Sequence, residues 1–306
     1  MVISRCTPVR IAAAMFGLSV GVAVGLAAQQ PAPIRNARGM QLLVKGENAQ
    51  PTLRVVLPDR PVTDSSIEIL FPEHVTATRR GSAGPEHLYM FRPGPGGERP
   101  AWRSDGRSLE YERNLPGKVH MLARATLDND GVRIRYEFGN RSTVAYDMIQ
   151  AVTDPRLTSL FHDVRLERTW VHHPSGFELL ASETPSRLTM PLERWLPARY
   201  LASHTWPVPA RRIERRSDGI TYYNKSRAVD LPLIATVSSD GAWIVASFAR
   251  QAGNVWTNPA LTCQHVDPQA TLAPGEQAQL EVKILVLHGS MVEVLQRVLL
   301  QRRTLR

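Results

Sequence analysis

The sequence predicts an all-β protein, an antiparallel β-sandwich of supersandwich-like layout with one short C-terminal α-helix. Two observations predict this class: apolar residues alternate with polar ones along several segments, and turn residues separate those segments. The clearest case is a pair of segments in which every second residue from Val119 to Leu127 is apolar and the pattern resumes at Val132. Asn129-Asp130-Gly131 supplies residues that tolerate positive φ between them. We therefore expect a hairpin here.

The first 27 residues have the features of a secretory signal peptide. Arg5 and Arg10 precede a short apolar run from Ile11 to Leu26, and small residues occupy the expected cleavage positions. The run is shorter than the roughly 20 residues that a membrane span needs. We expect a mature chain from Ala28 that is periplasmic or secreted and meets the membrane only through this segment before cleavage. An uncleaved anchor is the alternative.

Residues 28–117 predict a β region of short strands separated by glycine- and proline-rich loops such as Pro93 to Gly97. This region is either a small leading subdomain or the first sheet of the same sandwich, with the boundary near Pro116-Gly117. The expected strands are Met40 to Val44, Ser66 to Phe71, His87 to Phe91 and Ser108 to Tyr111.

Residues 118–306 predict the main sandwich. After the hairpin we expect a third strand that ends near Thr153, and then a loop-rich insertion over residues 153–219 that is a candidate for functional loops. The last strand alternates Leu280, Val282, Ile284 and Val286 with polar residues, which places Glu281 and Lys283 on the opposite face.

The chain is predicted to end in a helix over residues 290–303. Ser290 and Glu293 have the spacing of a capping box, and an apolar stripe follows them. Arginines at its carboxyl end suit the helix dipole.

Composition narrows the function classes. The formal charge is +9, carried mostly by scattered arginines, which favours contact with anionic surfaces or polyanions. No nucleic-acid module, phosphate-binding glycine motif, nucleophile elbow or paired Cys-x-x-Cys occurs in the sequence. We predict no nucleic-acid partner, no cofactor and no metal. Cys263 is the one cysteine of the mature chain, so no internal disulfide is expected, and the oligomeric state is open.

One constellation lies at Cys263, His265 and Asp267. If the segment is extended, these three alternate residues share a face, and a thiol, an imidazole and a carboxylate can bind a metal or transfer protons. The alternative has Cys263 in the core, His265 hydrogen-bonded and Asp267 capping a turn. No second pair of metal ligands with the spacing of a structural zinc site is evident.

Two further histidines are candidates. His162 stands beside Asp163, and His172 beside His173, but neighbours on a strand point to opposite faces, so each pair supplies at most one group to a site. Ordinary surface or loop positions are the alternative. The candidate catalytic residues are therefore His162, His172, His265 and Asp267.

Tryptophans in or beside predicted loops are candidates for ligand binding, because flat aromatic faces stack on sugar rings. Burial in the core is the alternative for each of them. The candidates are Trp170, Trp195, Trp206 and Trp256.

Three segments carry a family resemblance: residues 134–142 (IRYEFGNRS) followed by Phe161-His162-Asp163, residues 263–268 (CQHVDP), and residues 272–276 (LAPGE). Over roughly residues 119 to 289 the chain resembles uncharacterised exported bacterial β-sandwich proteins. Those are similar in strand layout to the galactose mutarotase-like supersandwich of carbohydrate epimerases and polysaccharide-processing enzymes. The resemblance implies this fold and a function related to sugars. The catalytic histidine and glutamate of the mutarotases have no match here residue by residue.

Three functional hypotheses follow. The first is an exported protein that binds carbohydrate or anionic glycan through loop aromatics and arginines, without assigned catalysis. The second is a carbohydrate-active enzyme, an epimerase, lyase or hydrolase, that uses histidine and an acid for proton transfer. The third is a structural protein of the cell envelope.

Overall fold

The computed structural model describes residues 30–46, 50–64, 67–91 and 99–306. The predicted signal peptide and the predicted loop at residues 93–97 lie outside these residues. The described strands up to residue 157 are β1 Ile34–Arg35, β2 Gln41–Val44, β3 Thr52–Val56, β4 Ile67–Arg79, β5 Glu86–Leu88, β6 Arg103–Ser104, β7 Ser108–Asn114, β8 Val119–Asp128, β9 Gly131–Asn140 and β10 Tyr146–Leu157.

The remaining strands are β11 Thr169–His173, β12 Gly176–Leu179, β13 Ala198–Ser203, β14 Ile213–Arg215, β15 Thr221–Asn224, β16 Leu233–Val237, β17 Trp243–Ala249, β18 Asn254–Thr257, β19 His265–Val266, β20 Gln269–Leu272 and β21 Gln277–His288. The α-helices are α1 Leu192–Trp195 and α2 Met291–Gln301, and short 3-10 turns span Ser159–Phe161, Pro185–Leu188 and Arg302–Thr304. Among the described residues, no helix combines the length and hydropathy needed to cross a membrane.

The described strands form three sheets. A seven-stranded sheet has the order β1-β2-β3-β4-β10-β20, with β5 paired to β4, and a nine-stranded sheet has the order β12-β11-β16-β17-β21-β9-β8-β7-β6. A smaller five-stranded sheet has the order β14-β15-β13-β18-β19. Every pairing given for these strands is antiparallel except that of β13 with β15. The protein is an antiparallel β-sandwich, as the sequence predicts.

The predicted hairpin is β8 and β9, which pair in unbroken register from Val119 opposite Asn140 to Asp128 opposite Gly131. The turn requires glycine at its last position. Gly131 has a φ of +139°, and a Cβ there would lie 2.0 Å from the carbonyl oxygen of Ile284 on the neighbouring strand.

Strands from both sides of residue 117 share the two larger sheets. β4 pairs with β10 in the seven-stranded sheet, and β7 pairs with β8 in the nine-stranded sheet. One hydrophobic core lies between these sheets and includes Phe71, Tyr111, Tyr136 and Phe138. The residues before and after 117 therefore share both larger sheets and one hydrophobic core.

Residues 153–219 contain more regular structure than the loop-rich insertion that the sequence predicts. They hold the end of β10 and the strands β11 to β14. Strand β13 lies between β15 and β18 and has no fully exposed face, so its sequence lacks the apolar-polar alternation of a half-buried strand. A second core packs here around Trp195 and Tyr200.

Helix α2 covers the outer face of the nine-stranded sheet. Its capping box is confirmed: the Glu293 N–H donates to Ser290 Oγ, and the Ser290 N–H donates to the Glu293 carboxylate. Val294 and Val298 pack onto that sheet and close a third core.

Candidate functional site

A polar site forms where residues 262–264 run beside the end of β10. Cys263 and Arg156 form an isolated antiparallel bridge. The Gln264 N–H donates to the Pro155 carbonyl at 3.0 Å, and the Leu157 N–H donates to the Thr262 carbonyl at 3.3 Å. Beyond these residues, β19 pairs His265 with Trp256 of β18. Backbone pairing therefore brings the end of β10 and the small sheet together.

Four buried side chains meet at this junction, and we call them the floor: Asp154, Cys263, His265 and Asp267. The Nε2 atom of His265 lies 3.2 Å from the Sγ of Cys263 and 3.4 Å from Oδ1 of Asp154. The other ring nitrogen, Nδ1, lies 3.8 Å from Oδ2 of Asp267. None of the four is more than 4% exposed.

Surrounding groups orient the floor. Arg156 Nε donates to Asp154 Oδ2 at 2.6 Å, the Thr153 N–H donates to Asp267 Oδ1 at 3.1 Å, and the Asn258 N–H donates to Cys263 Sγ at 3.1 Å. Among the described residues, Asp154 Oδ1 and His265 Nδ1 have no hydrogen-bond partner. Buried polar atoms are normally paired, so two orphaned atoms in one cluster mark it as a candidate functional site.

Five partly exposed side chains border the floor, and we call them the rim: Glu73, His74, Arg156, Arg199 and Trp256. The indole of Trp256 lies flat on the His265 ring, with centroids 3.6 Å apart and an interplanar angle of 4°. Arg156 Nη2 lies 3.4 Å from the Glu73 carboxylate. The rim therefore combines an aromatic face with two guanidinium groups, a carboxylate and an imidazole.

An irregularity in β4 places Glu73 at the rim. Val152 of β10 pairs with His74, but Asp154 pairs with Leu70, so three residues of β4 oppose the single residue Thr153. Such bulges bend a strand and re-aim its side chains, and they are common beside active sites.

Burial shifts the pKa values of the ionisable groups here. Burial, and next the charge of Asp154, raise the pKa of Glu73 to about 6, against the opposing charges of Arg156 and Arg199. Burial and the neighbouring His87 lower the pKa of His74 to about 4. At neutral pH His74 is therefore an uncharged base.

Burial also shifts pKa values in the floor. It raises the pKa of Asp267 well above its usual value and lowers the pKa of His265 well below its usual value. Burial thus disfavours the charged form of both side chains.

Three of the predicted site residues meet at this site: His265 and Asp267 in the floor, and Trp256 in the rim. His162 is exposed and lies just outside, with Nδ1 3.4 Å from the Thr262 hydroxyl. His172 lies in the nine-stranded sheet, where Nδ1 is 2.8 Å from Oδ1 of Asp230, so the structure does not bring it to the other candidates.

The other three predicted tryptophans lie apart from the floor. Trp170 is on β11, and Trp206 is exposed and packs over Gly253. Trp195 is 1% exposed and its indole N–H donates to the Tyr200 hydroxyl. The stacking role predicted for Trp195 is therefore wrong, because a sugar ring cannot reach a side chain inside the core.

Sequence reasoning missed Glu73, His74, Asp154, Arg156 and Arg199. The one available signal was in residues 153–156 (TDPR), where charged residues two positions apart follow an apolar strand. Read as the continuation of that strand, they share a face. For Glu73, His74 and Arg199 no local pattern distinguishes them from other charged residues.

No protein-family model and no curated protein matches this chain. Solved structures do match. A galactose mutarotase related enzyme from Lactobacillus acidophilus has 10% identity over 84% of this chain and 97% of its own, with a TM-score of 0.48. A protein from Synechocystis sp. PCC 6803 has 10% identity over 90% of this chain and 100% of its own, with a TM-score of 0.47.

A galactose mutarotase-like protein from Lactobacillus casei has 12% identity over 84% of this chain and 99% of its own, with a TM-score of 0.42. The chain has galactose mutarotase-like structural neighbours.

Proposed function

We propose that the rim binds carbohydrate, with a preference for anionic glycans, and that the protein does so in the periplasm or outside the cell. The observation that carries the proposal is the placement of Trp256 and Arg199 on one face of the five-stranded sheet. Leu201 lies directly opposite Trp256, and Arg199, two residues earlier on β13, points to the same face.

The guanidinium group of Arg199 has N–H groups available for a ligand. Within the part of the chain that the structure describes, it forms no ion pair, and its one hydrogen bond runs from Nη1 to the carbonyl of its neighbour Ala198. A guanidinium presents several N–H groups in a planar fork that suits carboxylate, phosphate or sulfate groups. An indole face beside such a fork matches a sugar that carries an acidic group.

Binding is tested by titrating the protein with uronate-containing and neutral oligosaccharides in a calorimeter. Trp256→Ala should weaken binding by at least about 1 kcal/mol, or roughly fivefold in Kd, because a stacked aromatic contact is lost. Trp256→Phe should restore most of it. Trp206→Ala is the matched control, since Trp206 is an exposed tryptophan away from the floor.

Arg199→Ala should reduce the preference for acidic over neutral sugars. Trp256 packs on the His265 ring, so its replacement could unfold the protein. The melting temperature of each variant shows whether it remains folded. If no glycan binds the wild-type protein, or if Trp206→Ala weakens binding as much as Trp256→Ala does, the proposal is wrong.

Catalysis on the bound sugar is the second candidate function, because Glu73 and His74 offer an acid and a base side by side. Their nearest polar atoms, Oε2 and Nδ1, are 3.9 Å apart, and a carboxyl with a pKa of about 6 is suited to proton transfer near neutral pH. Glu73→Gln should then abolish turnover of a sugar that the variant still binds. A protein that binds sugars and leaves them unaltered supports binding alone.

A further inference from the structure

Three side chains of the floor bring ligand atoms close together. Asp154, Cys263 and His265 each offer one ligand atom, and these atoms lie within 4.8 Å of one another. Nε2 of His265 is the ring nitrogen beside Sγ of Cys263 and Oδ1 of Asp154. We propose that these three side chains bind a zinc ion in the floor, next to the rim.

The distances suit a tetrahedral ion. With Zn–S bonds of about 2.3 Å and Zn–N and Zn–O bonds of about 2.0 Å, neighbouring ligand atoms of a tetrahedral shell lie roughly 3.3 to 3.6 Å apart. The His265 nitrogen is 3.2 Å from the sulfur and 3.4 Å from the Asp154 oxygen. Two of the three ligand-to-ligand distances are therefore already close to those of a zinc shell, and the third, from Cys263 to Asp154, is within 4.8 Å.

The hydrogen bonds leave the ligand atoms available. Arg156 occupies Oδ2 of Asp154, and Oδ1 has no hydrogen-bond partner among the described residues although the side chain is only 2% exposed. An unpaired buried carboxylate oxygen is costly, and a metal ion would satisfy it.

The imidazole has the orientation of a zinc ligand. Nε2 faces the other two ligand atoms, and Nδ1 faces the carboxylate of Asp267 at 3.8 Å, which is the outline of the carboxylate–histidine–zinc pattern of metal sites. Trp256 stacks flat on the ring and restricts its rotation. Burial and the charge of Asp154 raise the pKa of the Cys263 thiol, and the Asn258 N–H, which donates to Sγ, acts in the opposite direction, so a bound cation is what would make the thiolate the stable form.

The ligand types select the metal. A thiolate, an imidazole and a carboxylate favour zinc over magnesium or calcium, which prefer oxygen ligands. On binding, the Cys263 thiol releases its proton to solvent and the thiolate becomes the ligand. Three protein ligands leave the fourth tetrahedral position for a water molecule, as in catalytic rather than structural zinc sites.

The test uses the full chain with Co²⁺ and Zn²⁺ in the absence of sugar, so its outcome is independent of the carbohydrate proposal. We expect one equivalent of Co²⁺ to bind, with thiolate-to-cobalt charge-transfer absorption in the near ultraviolet, and one equivalent of Zn²⁺ to displace it. Zn²⁺ should also raise the melting temperature, because it binds the folded chain.

Cys263→Ser should remove the charge-transfer band, whereas Cys6→Ser, which changes the other cysteine, should retain it. Asp154→Asn keeps the side-chain volume. It should weaken Zn²⁺ binding by more than about 100-fold, because losing a residue that only orients a metal ligand already costs about 10- to 100-fold. His172→Gln, at a buried histidine paired with Asp230, is the matched control and should bind normally.

Absence of stoichiometric uptake by the folded wild-type protein overturns the proposal, as does a band that survives Cys263→Ser. If Cys263→Ser does not fold, Asp154→Asn decides: unchanged affinity in that variant overturns the site.

Discussion

At the scale of single residues, Glu178 is a carboxylate surrounded by donors from neighbouring segments. Lys225 Nζ lies 2.8 Å from Oε1, and Arg227 Nη2 lies 2.8 Å from Oε2. The Ser182 hydroxyl donates to Oε1 at 2.5 Å, and His173 Nε2 lies 3.5 Å from Oε2. Lys225 is only 2% exposed, and its charge is balanced at this one cluster by Glu178 and, at 3.7 Å, by the Glu183 carboxylate.

This environment predicts a pH dependence of stability. Burial acts to raise the pKa of Glu178, but hydrogen bonds from Lys225 and Ser182 and the charge of Lys225 outweigh it and lower the pKa from 4.5 to about 2. Because the folded-state pKa is the lower one, ionised Glu178 stabilises the fold above pH 4.5, and this stabilisation is lost as the pH falls toward 2.

The free energies of unfolding of wild-type protein and Glu178→Gln, measured in urea from pH 6 to pH 3, should therefore differ most at pH 6 and converge at low pH. A difference for Glu178→Gln that is independent of pH would contradict the prediction.

The sequence could predict those residues of the candidate site that lie close together in the chain. Trp256 and His265 lie on adjacent short strands nine positions apart, and Asp267 follows two positions later, so local alternation was enough to group two of them. Asp154 joins His265 from more than 100 positions earlier. Such contacts depend on which strands pair, and no local pattern encodes that.

At the scale of elements, the length of β10 explains why Asp154 and Arg156 were not predicted as site residues. The sequence predicted that this strand ends near Thr153, but it continues to Leu157. Pro155 lacks an N–H, but its carbonyl accepts from the Gln264 N–H, and residues on both sides of it stay paired with β4. The two charged positions flanking this proline therefore became part of a strand rather than a loop.

Helix α2 was predicted well because its start is encoded locally. Ser290→Ala removes the side chain that accepts from the Glu293 N–H and should lower the free energy of unfolding by about 1 kcal/mol. Ser290→Thr keeps a hydroxyl and should be close to neutral. Urea unfolding followed by circular dichroism measures both. If Ser290→Thr is as destabilising as Ser290→Ala, the capping hydroxyl is not the cause.

At the scale of the whole molecule, C-terminal residues cover the face of β21 that carries Glu281 and Lys283. Strand alternation placed Glu281 and Lys283 opposite the apolar residues, which is correct, but both side chains are buried, at 1% and 0% exposure. Alternation predicts which residues share a face. It does not predict what covers that face, because docking of a helix from beyond the strand is a long-range event.

Lys283 connects three parts of the fold. Its Nζ lies 2.7 Å from Asp128 and 2.9 Å from Asp130, at the turn of the β8–β9 hairpin. The second oxygen of Asp130 accepts from Arg297 and Gln301 of helix α2 at 3.0 and 2.6 Å. One buried cation and one carboxylate thus join the last strand, the central hairpin and the C-terminal helix.

Removing that cation should therefore destabilise the whole molecule rather than one element. Lys283→Ala leaves the carboxylates at the hairpin turn without their buried partner, and we expect a loss of about 3 to 5 kcal/mol in the free energy of unfolding. Arg60→Ala removes a cation from the more exposed pair with Asp64 and should cost no more than about 1 kcal/mol. Urea unfolding gives both values, and hydrogen exchange should show faster exchange in residues 291–301 of Lys283→Ala. Equal losses in the two variants, with exchange in the helix unchanged, would mean that apolar packing of Val294 and Val298 alone holds the helix in place.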